Sequence, residues 1–126
     1  MVDITPLITR DRQVIQSYKN GAFRISGQIY EGAVLVLPAT AHLWHGVKTP
    51  QHLTIDDFSP LLNHEDGLDL ILLGAGNMIT PVAPAVQDNL LRSGIALDIM
   101  NTGAACRTYN LLMAEGRRVA AALFPV

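Results

Sequence analysis

The sequence predicts one α/β domain with an antiparallel front half and a parallel back half. Three observations point to it. Short apolar segments around Phe23, Ile25, Ile29 and Tyr30 are punctuated by Gly21, Gly27 and Gly32, as in β-hairpins. Two apolar runs, 68–73 and 95–100, flank a stretch with helical spacing. A long alanine- and leucine-rich stretch, 103–123, then has the character of a closing helix.

In chain order, residues 1–20 are mixed and polar, with Ile8, Val14 and Ile15 suited to an edge strand. Asn20-Gly21 marks a turn, and Ser26-Gly27 fits the tip of a hairpin between two short strands. Residues 33–37, AVLVL, are apolar on both faces, as a covered strand requires, and Pro38 stops them. The stretch 39–52 is a loop or irregular strand holding Trp44, expected as a core anchor, and His42, His45 and His52. Thr54 suits an N-cap, with Asp57 favouring the helix dipole, and Ile55, Phe58, Leu61 and Leu62 follow at helical spacing up to the region of Pro60.

The back half is more regular. The strand 68–73 leads into a turn at 74–77. Pro84 opens a helix with Val86, Leu90 and Leu91 on its apolar side, and Gly94 closes it before the strand 95–100. This strand–helix–strand unit predicts a parallel pair with a right-handed crossover. The last helix is expected over 103–123, with a buried stripe of Ala105, Tyr109, Leu112, Gly116, Val119, Ala120 and Leu123. Glu115 and Arg118 then fall three apart and can pair, and Arg117 and Arg118 complement the dipole of the helix end. No repeat or linker divides the chain, so residues 1–126 are read as a single domain.

The bulk properties restrict function. The chain has 126 residues, 49% hydrophobic and 16% charged, which suits a self-sufficient core. A formal net charge of -2 argues against a nucleic-acid partner or an anionic-membrane binder. Asp3, Thr5 and Pro6 interrupt the start, where a signal peptide needs an apolar core. No apolar stretch reaches the roughly 20 residues of a membrane span. The single cysteine, Cys106, cannot form an internal disulfide and fits a reducing compartment. A cytoplasmic protein without stable membrane insertion is therefore expected.

The candidate site lies where two strands end. In open α/β sheets, ligands bind beyond the carboxyl ends of the strands, where the winding reverses. The loops 74–77 and 101–107 meet that description, and the last helix starts at the second, offering free N–H groups to an anion. The expected anion-tolerant pocket comprises Gly74, Gly76, Asn77, Asn101, Thr102, Cys106 and Arg107, with Tyr109 and Asn110 as further polar groups beside it. Each has a structural reading as well. Gly74-x-Gly76 opens like a dinucleotide fingerprint, but Ile79 replaces the third glycine and the helix starts late, so a plain turn is favoured. Cys106 has the helix start and Arg107 to favour a thiolate, yet no histidine stands near it in sequence, and packing is the commoner fate. Tyr109 falls on the apolar stripe, and Asn110 needs a hydrogen bond to justify its place in a helix, for which the loop after strand 68–73 is a candidate. His42-x-x-His45 with His52 and His64 matches no standard zinc spacing, so no metal is expected.

The segments YEGAVLVLP, LDLILLGAG and ALDIMNTGAACRTYNLLMAEGRRVAAAL carry a family resemblance. The chain resembles, from about residue 18 to residue 123, a small uncharacterised domain family that includes mitochondrial complex I assembly factor 3 and the adipogenesis-associated domain protein. The resemblance implies a single three-layer α/β domain with a mixed central sheet, to which the residues themselves add packed helices and an antiparallel N-terminal β-hairpin region. It implies no established activity and no cofactor, and marks Gly74, Gly76, Thr102, Cys106, Arg107, Thr108, Tyr109, Asn110, Glu115 and Arg117 as family signature. The functional expectation is a non-enzymatic binding or assembly module with a protein partner, in respiratory or membrane-complex assembly by that resemblance, and a homodimer as a further arrangement. The alternative is a small-ligand binder or enzyme using the pocket around Arg107 and Cys106.

Overall fold

The computed structural model describes residues 12–63 and 67–126; the expectations for Ile8, for His64 and for the first residues fall outside them. β1 (Ile15–Lys19), β2 (Ala22–Ile25) and β3 (Gln28–Glu31) form an antiparallel sheet in the order β1-β2-β3. The two turns are those anticipated. Ser26 and Gly27 take φ of 46° and 86°, the paired positive values of a two-residue hairpin loop that matches strand twist. Phe23 and Ile25 point into the core while Arg24 faces outward, the period-2 alternation of a sheet with one wet face.

The main sheet has five strands: β4 (Val34–Val36), β5 (Ala41–Leu43), β6 (Leu70–Gly74), β7 (Ala96–Met100) and β8 (Val119–Leu123), in the order β5-β4-β8-β6-β7. β6 runs parallel to both β7 and β8, whereas β4 is antiparallel to β8 and β5. Two 3-10 turns, Pro50–His52 and Ile55–Phe58, lead into the single-turn α1 (Ser59–Leu62). Thr54 is the N-cap of the second turn, as expected, and the Asp57 carboxylate, expected only to favour the dipole, also accepts the Thr54 N–H at 2.8 Å. α2 (Pro84–Arg92) is the crossover between β6 and β7, and α3 (Thr102–Ala114) follows β7.

Strands buried on both faces need cover on both, and the architecture supplies it. On one face, Leu35, Ile71, Leu73, Ala120 and Ala122 pack with Trp44, Phe58, Val86 and Leu90. On the other, Val34, Val36, Leu72, Ala121 and Leu123 pack with Ala105, Tyr109 and Met113 of α3 and with Ile15, Phe23 and Ile25 of the small sheet. The result is three layers around a mixed sheet. Trp44 is the expected anchor: its rings lie 5.5 Å from Phe58 and 5.4 Å from Phe124, and its Nε1 donates to the Asp57 carbonyl at 2.8 Å.

The closing helix is shorter than its sequence suggests. It stops at Ala114, and residues 119–123 form β8, the central strand, instead of a further helical turn. Gly116 adopts φ of 80°; its N–H donates to the Met113 carbonyl at 3.0 Å, and the Arg117 N–H donates to the Leu112 carbonyl at 3.0 Å. This paired closure ends a helix at a left-handed residue, where glycine has no Cβ penalty. The same pair closes α2 at Gly94. The expected stripe is corrected accordingly: Thr102, Ala105, Cys106, Tyr109 and Met113 are the buried face of α3, while Gly116 is exposed. Arg118 does not pair with Glu115 along a helix; its guanidinium meets Asp69 at 2.8 Å across the start of β6, and with both side chains more than half exposed the pair is worth at most about 1 kcal/mol.

Candidate functional site

Because β6 and β7 are parallel, their carboxyl ends share one rim, and the loops after them touch. The Thr102 N–H donates to the Gly76 carbonyl at 2.8 Å, and the Thr102 hydroxyl accepts the Gly76 N–H at 2.9 Å while donating to the Phe124 carbonyl at 2.7 Å. Thr102 is fully buried, so these bonds satisfy groups that would otherwise be stranded without water. Gly74 makes the junction fit. A Cβ there would lie 2.9 Å from Leu123 Cδ2 and 3.0 Å from Thr102 Cα, too close for either to remain in place. Asn101 is the N-cap of α3, its side-chain oxygen accepting the Ala104 N–H at 2.8 Å.

Above this junction is an open depression of about 210 Å³, lined by Tyr18, Gly76, Asn77, Asn101, Gly103, Arg107 and Val126. Gly76, Asn77, Asn101 and Arg107 are thus brought together as the sequence suggested. Gly74 and Thr102 lie beneath as its frame. Tyr18 and Gly103 were not anticipated. Arg107 Nη1 donates to Tyr18 Oη at 3.1 Å, which spans 89 positions of sequence. Gly103 lets that tyrosine in: a Cβ at Gly103 would sit 2.5 Å from its hydroxyl oxygen.

Cys106, Tyr109 and Asn110 do not line the depression. Cys106 is buried, and burial pushes its thiol up to about 12, the neighbouring Arg107 charge opposing the shift without cancelling it. A thiol held in that state is protonated at neutral pH and is a poor nucleophile. Tyr109 is wholly buried and donates to the Gln13 carbonyl at 3.0 Å; burial raises its pKa, with Arg12 opposing. Asn110 bonds not to the loop after β6 but to β1. Its Oδ1 accepts the Ile15 N–H at 2.9 Å, and its Nδ2 donates to the Ile15 carbonyl at 2.8 Å. The side-chain amide so replaces a missing strand partner and ties the small sheet to α3. Thr102, Tyr109 and Asn110 therefore bind chain to chain, and Arg107 is the member of this motif that projects to solvent.

His42, His45 and His52 are exposed, and His52 Nδ1 lies 2.6 Å from the Thr49 hydroxyl. Among the described residues, no three His, Cys, Asp or Glu side chains gather as a metal site, and no helix is long and apolar enough to cross a membrane.

Residues 15–124 match the protein family of unknown function DUF498/DUF598. An uncharacterised protein of Rhodobacter capsulatus is 36% identical over 112 residues, covering 89% of this chain and 84% of that one. The mouse protein named NADH dehydrogenase [ubiquinone] 1 alpha subcomplex assembly factor 3 is 34% identical over 111 residues, covering 88% of this chain; the chain spans 60% of that protein's length. The crystal structure of a Bartonella henselae protein described as an outer membrane protein superposes with a TM-score of 0.83 at 33% identity, covering 93% of this chain and 98% of that one.

Proposed function

This chain belongs to the DUF498/DUF598 family of proteins of unknown function, and from that premise we propose that it is a non-enzymatic binding or assembly module acting through protein partners. The observation that carries the reading is the 34% identity to an NADH dehydrogenase assembly factor over 111 residues, a span covering nearly all of the described domain. The geometry supports it: the densest polar motif, 102–110, is largely spent on joining α3 to β1, β6 and β8. Exposed Met78 and Ile79 beside the rim, and Leu111 on the outer face of α3, offer apolar contact area to a partner. We assign the partner to the assembly of a respiratory or other membrane complex and the module to the cytoplasmic side, with no nucleic acid bound. A second copy of the chain is the competing partner, and sedimentation velocity separates the two arrangements.

The test removes the chain from its own cells and resolves respiratory complexes from their membranes on native gels. A reduced mature complex, with accumulating subassemblies that re-expression clears, is the expected result. Unchanged complexes and unchanged respiration would reject the reading.

A second reading rests on one observation, the exposed Arg107 guanidinium facing the 210 Å³ depression beside Asn77 and Asn101. There the rim is a small-anion site and Arg107 holds the anion. Titration with phosphate and acetate, followed by calorimetry, checks it. Saturable heat abolished by Arg107→Ala supports an anion site, and no heat at millimolar ligand removes it.

A further inference from the structure

A separate cavity of about 230 Å³ lies at the opposite end of β6, away from the rim. Among the described residues, its walls are Arg12 before β1, Pro38 and Ala39 after β4, Gly67 and Leu68 before β6, and the exit of α3 with Met113, Gly116, Arg117 and Arg118. The chemistry is two-sided. Leu68 and Met113 are buried and, with Pro38 and Ala39, give an apolar surface, while three guanidinium groups supply positive charge. Arg118 is engaged by Asp69, with bonds of 3.1 and 2.8 Å. Among the described residues, Arg12 and Arg117 have no side-chain partner and no acidic residue lines the cavity.

Two planar forks beside an apolar surface match a carboxylate on a hydrocarbon body. A phosphate dianion fits less well. The cavity stands at the carbonyl end of α3, where the partial negative charge of a helix opposes anions, and it lacks the free helix N–H groups that phosphates favour. The volume is below the roughly 300–1,000 Å³ of pockets for drug-sized molecules, which restricts the ligand to a small one. We propose that this cavity binds a small carboxylic acid with a short apolar body, held by Arg12 and Arg117 and packed on Leu68 and Met113. This site is independent of the assembly reading and of the depression at Arg107.

The experiment titrates the intact protein with hexanoate and, separately, with inorganic phosphate at matched ionic strength, following backbone amides by NMR. Hexanoate is expected to give saturable shifts at Gly67, Leu68 and Gly116, with a Kd of about 1 mM or tighter. Phosphate is expected to bind at least about tenfold more weakly, given the poorer match argued above. Arg12→Ala and Arg117→Ala should each weaken hexanoate about tenfold or more, the loss of a charge-assisted pair. Arg92→Ala, which removes an exposed charge on α2, should leave it unchanged. An otherwise native amide spectrum identifies each variant as folded, and either arginine variant alone suffices. No saturable shift at those amides would overturn the proposal, as would an unaltered response in a folded arginine variant, tighter phosphate binding, or a response abolished by Arg107→Ala.

Discussion

Asn110→Ala tests whether the side-chain amide really acts as a strand partner for β1. The substitution removes both bonds to Ile15, at 2.9 and 2.8 Å, and leaves a backbone N–H and a carbonyl without their partner. Stranding a buried polar group costs about 1–3 kcal/mol. The pair is only part-buried, so water recovers some of this and the lower end applies, about 2–3 kcal/mol for both groups. Alanine is the better helix former and returns about 0.6 kcal/mol. The net loss is therefore about 1.5–2.5 kcal/mol, which for a domain of this size lowers Tm by about 5–12 °C. Calorimetry reads the midpoint, and hydrogen exchange reads Ile15 directly. The Ile15 amide should exchange much faster in the variant, while the β6 amides keep protection relative to global stability. A midpoint within about 2 °C of the parent, with Ile15 still protected, would refute the stitching role.

Three further outcomes are expected. Thr102→Val keeps the shape but removes the donor to Phe124 and the acceptor of the Gly76 N–H; urea denaturation should show a loss of about 2–3 kcal/mol, and Thr102→Ser should restore part of it. Gly103→Ala puts a methyl 2.5 Å from the Tyr18 hydroxyl, the far end of a side chain that can swing away; the fold should stay within about 1 kcal/mol because alanine favours the helix, while the Tyr18 ring resonances shift as its bond to Arg107 breaks. Cys106 should resist a thiol reagent at pH 8 in the native state and react fully in denaturant. Its folded pKa of about 12 lies above the ordinary 9.0, so the native state holds the proton more tightly and stability falls as pH rises from about 9 to about 12. Tyr109, also raised, acts with the same sign, and a urea midpoint no lower at pH 10.5 than at pH 8 would contradict both.

Much of the candidate rim was legible in the chain. A parallel strand–helix–strand unit places the residues after both strands at one end of the sheet, so Gly76, Asn77, Asn101 and Arg107 could be grouped from sequence order alone. The convergence of thiol and guanidinium could not survive the helix. Neighbouring residues differ by about 100° around its axis, so Cys106 joins the buried stripe with Thr102 and Tyr109, and Arg107 turns outward. Tyr18 left no local signal, because it reaches Arg107 from a different sheet.

The sequence determined what depends on short spans: the turns at Asn20-Gly21 and Ser26-Gly27, the covered strand before Pro38, the proline start and glycine end of α2, and the parallel pair β6–β7. Tertiary structure decided the fate of Val-Ala-Ala-Ala-Leu after Gly116. Alanine has the highest helix propensity, so the local preference is to continue α3. Yet all five residues are buried, between β4 on one side and β6 on the other. Their small side chains let layers approach from both faces, and the hydrogen bonds of two flanking strands outweigh a preference worth tenths of a kcal/mol per residue. That balance depends on partners far away in sequence, and it places the central strand of the sheet where the local pattern favours helix.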